Sequence, residues 1–186
     1  TTKEEYNLLI EFVHKHLDFH DAELNSILEM HGIRVGTDCH FVTLPTTNDK
    51  CNHKRPFRIV SFPWSSIGSR FSVSDHNDDG NGGDNKTCIN LVSALSRCTL
   101  IRSVVELWGY GPTTNDCVIS IQNGSSLQRH QQGKHLGSDN KLFNERSWSI
   151  HVHTLGATFT RVEQNIMRSH FSFLNFPGKV QMKDPD

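Results

Sequence analysis

Within the first 108 residues, apolar segments of strand and helix character follow one another in an order that few folds accommodate. Residues 6–13 (YNLLIEFV) form a short run with β-branched and aromatic members, which reads as a buried strand. A helix follows: Asp18 is the candidate N-cap, Asp21 and Glu23 sit where the helix dipole favours acids, Leu24, Ile27 and Leu28 share one face, and Gly32 terminates it. Residues 33–44 and 56–63 (PFRIVSFP) read as two strands able to pair as a hairpin, separated by a polar stretch. From Thr87, Leu91, Leu95 and Cys98 fall on one side of a second helix, and residues 103–108 read as a strand stopped by Gly109-Tyr110-Gly111-Pro112. Strand, helix, strand, strand, helix, strand is the split β-α-β pattern of a ferredoxin-like sandwich, so the first domain is expected to span residues 1–111.

Residues 72–87 (SVSDHNDDGNGGDNKT) are almost purely polar and glycine-rich, cannot bury apolar surface, and are expected to form a mobile loop. Its Asp75-His76-Asn77-Asp78-Asp79-Gly80 imitates the start of an EF-hand loop, but Lys86 stands where that loop needs a bidentate glutamate. Beyond residue 111 the pattern gives a helix over 115–122, a glycine-interrupted polar stretch, a strand over 148–155, and a better-marked helix after Thr160. There Thr160-Arg161-Val162-Glu163 has capping-box spacing, and Val162, Ile166, His170 and Phe173 recur at helical intervals. A last strand is expected over residues 179–182.

No apolar run is long enough to span a membrane, and the polar first residues do not resemble a signal segment. Five cysteines without any C-x-x-C spacing fit a reducing, cytoplasmic setting rather than a disulfide framework. The chain starts without methionine, stops at Asp184-Pro185-Asp186, and is read as a fragment. Net charge is −1, far from the basic excess of a general nucleic-acid binder, although residues 102–186 carry 9 Lys/Arg against 7 Asp/Glu while residues 1–101 carry 10 against 13.

Catalytic patterns are absent: there is no G-x-S-x-G elbow, phosphate loop or dinucleotide fingerprint. His14, His16 and His20, and the pair His151 and His153, have spacing that could face a metal, but no cysteine or carboxylate cluster completes either set. No catalytic or metal residue is assigned. On the last helix Arg161, Asn165 and Arg168 lie at i, i+4 and i+7, a polar stripe able to meet phosphates, with Lys179 and Lys183 on the segment beyond.

Three segments, HLDFHDAEL (16–24), RSVVELWGYG (102–111) and FSFLNFPGKVQMKDPD (171–186), together resemble the N-terminal region of the eukaryotic tRNA guanine-10 N2-methyltransferase catalytic subunit family. The resemblance implies an α+β architecture: a ferredoxin-like subdomain, then a THUMP-like RNA-binding subdomain over residues 112–186, C-terminally truncated with its last strand missing. It implies tRNA as partner, held through its acceptor end, with Arg161, Arg168, Lys179 and Lys183 on phosphates. S-adenosylmethionine, the methyltransferase domain in cis and a small zinc-binding activator subunit belong by the same resemblance to the full-length enzyme. No cofactor is expected in this chain, which should be inactive alone. A protein-interaction scaffold without RNA affinity and a small hydrolase are the rival readings.

Overall fold

In a computed structural model, Tyr6, Leu8, Ile10 and Phe12 alternate into the core along β1 (Glu5–Phe12), while Asn7, Leu9 and Glu11 take the other face, as a period of two requires. The structure describes residues 4–13, 16–43, 55–67, 69–72, 89–124, 126–128, 148–153 and 158–174. The chain divides into two units, Thr1–Trp108 and Gly109–Asp186.

After β1 the first unit continues with α1 (His20–Met30), β2 (His40–Val42), β3 (Phe57–Pro63), β4 (Phe71–Ser72), β5 (Ile89–Asn90), α2 (Leu91–Leu95) and β6 (Ile101–Glu106). Four strands form a sheet in the order β2-β3-β1-β6, every neighbour antiparallel. This is the connectivity of a ferredoxin-like sandwich. Leu24 and Leu28 from α1, and Leu91, Ala94 and Leu95 from α2, are buried with Phe12, Phe62 and Phe71. Truncating one such leucine to alanine costs about 2–5 kcal/mol in a packed core. Arg58, on the helix-facing side of β3, ties that side to α1 through a forked bond to Asp21 at 2.6 and 3.1 Å.

Three local expectations need correction. Asp18 caps nothing: residues Leu17–Phe19 form one tight 3-10 turn after His16, which adopts a left-handed backbone (φ 57), and α1 begins only at His20. The other end behaves as expected. Gly32 (φ +71) donates to Glu29 O and Ile33 to Leu28 O, a Schellman closure with Ile33 and Leu28 both buried. The strand expected over residues 33–44 shrinks to the three residues of β2, because the Asp38 carboxylate accepts Arg34 N–H at 2.8 Å and the Arg70 guanidinium at 2.5 and 3.2 Å, folding residues 34–39 into a turn. The second helix starts at Leu91, capped by Asn90, since Ile89 and Asn90 pair in parallel with β4. The expected loop over 72–87, its EF-hand-like motif included, lies outside the described residues from 73 onward.

In the second unit α3 (Thr114–Asn123) is capped by Thr113, whose hydroxyl donates to Asp116 Oδ2 at 2.6 Å and accepts from Asp116 N. A β-carbon on Gly109 would come within 2.7 Å of Ile121, and one on Gly111 within 2.5 Å of Asp116, so the Gly-Tyr-Gly segment owes its glycines to close packing on α3. The last described helix is α4 (Arg161–Ser169). Of the strand expected over 148–155, Trp148 forms a β-bridge, residues 149–153 form no regular strand, with the Ile150 carbonyl taken by the Arg168 side chain, and residues 154 and 155 lie outside the described residues. Residues 179–182 lie outside the described residues.

Candidate nucleic-acid interface

The stripe on α4 begins with its cap. Thr160 O–H and N–H donate to the Glu163 carboxylate at 2.8 and 2.7 Å, and Glu163 N returns a bond to the Thr160 hydroxyl, completing the capping box. The Thr160 backbone N–H, followed by its hydroxyl, holds Glu163 below the usual carboxylate value. The capping box thus answers the Thr160 and Glu163 N–H groups at the start of α4.

Arg161 is exposed in the first turn. Arg168, half-buried, donates from Nε to Ile150 O at 3.1 Å and from Nη1 to Asn165 Oδ1 at 2.9 Å. The three residues share one side of the helix but serve different ends, since Arg168 also fastens residues 148–153 to α4. Lys179 and Lys183 lie outside the described residues. Sequence spacing indicates the stripe and misses the Arg168 clamp, whose only trace is an asparagine three residues before an arginine.

The apolar recurrence on α4 predicts the helix but not its burial: Val162 is 68% and Ile166 55% exposed, while Phe173 is half-buried. The histidine sets resolve differently. His20 is buried and stacked on Phe12 at 4.4 Å between ring centroids, out of reach of a surface ion. His151 and His153 are exposed, and His151 Nε2 lies 2.7 Å from Ser149 Oγ, with no carboxylate among the described residues to orient it as a hydrolytic relay. Among the described residues no group of three or more His, Cys, Asp and Glu side chains could hold a metal. Burial, reinforced by Asp38 and Glu23 respectively, pushes the Cys39 and Cys98 thiols up to about 11, which leaves both protonated and poorly nucleophilic at neutral pH. Among the described residues no helix is long and apolar enough to cross a membrane.

Fold and site together define an α+β protein with a ferredoxin-like first unit and, in the second, a capped helix carrying arginines on one side. The chain belongs to the Tmrp11 THUMP N-terminal domain family, which it matches over residues 90–186, from α2 onward. Among curated relatives it is similar to tRNA (guanine(10)-N(2))-methyltransferase TRMT11 of Pongo abelii and of Homo sapiens, each 24% identical over 177 residues, 95% of this chain and 29% of the relative. The Gallus gallus protein of the same name is 28% identical over 92 residues, 50% of this chain and 18% of the relative. The chain therefore spans less than a third of the length of these relatives. No solved structure matches it.

Proposed function

We propose that this chain is the tRNA-holding portion of an S-adenosylmethionine-dependent tRNA (guanine-10-N2)-methyltransferase acting in the cytoplasm, and that it positions tRNA through the acceptor end. The observation that carries this reading is the THUMP family match over residues 90–186, together with relatives named as that methyltransferase over 95% of the chain. Arg161, Arg168, Lys179 and Lys183 contact backbone phosphates, which fix register without reading sequence. The unpaired acceptor end offers bases whose edges a protein can read.

The methyl donor belongs elsewhere in the enzyme. The glycine pair that follows a described strand and precedes a helix, Gly109 and Gly111, is packed against α3, whose N-terminus is capped by the Thr113 hydroxyl accepting Asp116 N–H, and this close packing supports placing S-adenosylmethionine away from the pair. Methyl transfer is accordingly assigned to a domain in cis, and the small zinc-binding activator subunit to that domain.

The test is the affinity of the chain for intact tRNA and for the same tRNA without its 3′ single-stranded end, at low and moderate salt. Binding that weakens with salt and on trimming is expected. Alanine at all four cationic positions should weaken binding to all tRNAs alike and lower the salt slope by about one for each phosphate no longer neutralised. A folded quadruple variant with full affinity overturns the assignment.

A further inference from the structure

The outward surface of α1 is apolar and acidic at once. Phe19, in the turn leading into the helix, is 62% exposed, and Met30, at its end, is 69% exposed. They lie eleven positions apart, about three helical turns, which places both on one side about 16 Å apart. Beside Phe19 opens a groove of about 510 Å³, walled by Ala22 and Ser26 of α1 and across from them by Thr99 and Leu100. The His16 ring meets Phe19 edge-on at 6.3 Å, on the left-handed turn that swings the chain into α1.

The polar groups of this groove are already answered within the unit. Glu23 accepts Thr99 N–H and O–H at 2.8 Å and Leu100 N–H at 3.1 Å, and the Ser26 hydroxyl donates to Ala22 O at 2.8 Å. What remains unmet is apolar: the Phe19 ring and the Met30 side chain. Large apolar side chains left exposed on the same side of one helix mark an interaction surface.

The charge around them selects the occupant. Residues 16–33 contain Asp18, Asp21, Glu23 and Glu29 and no lysine or arginine. Asp21 is ion-paired with Arg58, and Glu23 is occupied by the Thr99 and Leu100 donors, whereas Asp18 and Glu29 are exposed. The cations flanking this stretch in sequence are Lys15, outside the described residues, and Arg34, which is exposed; near Thr99 and Leu100 in sequence, Arg97 is exposed and Arg102 faces Glu11 at 3.4 Å. An RNA strand laid along α1 would bring its phosphates against Asp18 and Glu29, while lysine or arginine heads would be drawn to them.

We propose that α1 and its groove dock a basic, amphipathic helical segment of a protein partner, with one apolar side chain seated beside Phe19, a second against Met30, and cationic heads at Asp18 and Glu29. This surface uses none of the α4 arginines, and the inference stands or falls independently of RNA binding. A synthetic amphipathic helix of leucine and lysine is the probe, with a version carrying glutamate for lysine and a single-stranded RNA oligonucleotide as the alternatives, each titrated into the isotope-labelled full chain.

The leucine–lysine peptide is expected to move the amide signals of Phe19, Ala22, Ser26, Thr99 and Leu100. Its affinity should fall about tenfold in Phe19→Ala with Met30→Ala, and about threefold in Asp18→Asn with Glu29→Gln, a loss that added salt mimics. Since all four side chains are exposed, these variants keep the parent's thermal midpoint, and the apolar pair keeps the parent's tRNA affinity. If the parent fails to bind tRNA, only the RNA reading is lost. Signals that move elsewhere on the chain, equal binding of the glutamate peptide, or displacement of the peptide from Phe19 by the RNA oligonucleotide would overturn the docking site.

Discussion

Asp38 and Glu23 each gather backbone and side-chain donors from distant parts of the first unit. Burial raises the Asp38 carboxyl, but the Arg34 N–H and the Arg70 guanidinium outweigh it and hold it below the ordinary aspartate value. Burial likewise opposes, and the bonds from Thr99 and Leu100 overcome, at Glu23. Both folded-state values are depressed, so their stabilisation is fully present above the unfolded carboxylate values, about 4, and is lost as pH falls through the folded values. Urea midpoints of the parent should be flat from pH 7 to about 5 and then drop, and Asp38→Asn should flatten part of that drop. Arg70→Ala, which leaves Asp38 without its fork, should cost about 1–3 kcal/mol at neutral pH. Neither carboxylate could be assigned this work from sequence, because the partners lie 32 and 76 residues away. The turn around Asp38 is also why an apolar-looking stretch over residues 33–44 yields so short a strand.

Two helix ends were legible, the Gly32 stop of α1 and the cap of α4, while the starts of α1 and α2 were not. Gly32 and the Thr160–Glu163 spacing act through bonds a few residues long, which local sequence encodes fully. Thr160→Ala should destabilise α4 by about 1 kcal/mol, seen as roughly fivefold faster amide exchange in that helix with no change in α1. The periodicity of Val162 and Ile166 was equally visible, yet both are exposed, because period states which residues share a side and not what lies opposite. The same limit hid the Arg168 clamp on Ile150. Arg168→Lys, which keeps the charge and loses the fork, should loosen residues 148–153 in hydrogen exchange while Arg161→Lys leaves them unchanged. In the glycine segment, Gly109→Ala or Gly111→Ala meets Ile121 or Asp116 directly and should cost about 1–3 kcal/mol, read from the unfolding of α3.

Across the whole molecule, the order of elements in the first unit followed from alternation and helical period, and the antiparallel order β2-β3-β1-β6 is the one that this sequence of elements favours. Composition concealed the rest. A net charge of −1 averages an acidic α1 with a second portion of mild basic excess, so neither surface is announced by the total. The expected consequence for tRNA is a modest salt dependence, set by a few phosphate contacts rather than by a general positive field: affinity should change by about 10²-fold or less between 50 and 200 mM salt.

The two-residue parallel pairing of β4 with β5 joins Phe71 to Ile89 and Ser72 to Asn90 across the polar run. The pairing holds positions 72 and 89 side by side next to the fully buried Phe71. Asn90 thereby serves twice, as the last rung of that pair and as the cap of α2, so the point where the helix can begin is dictated by the strand beside it.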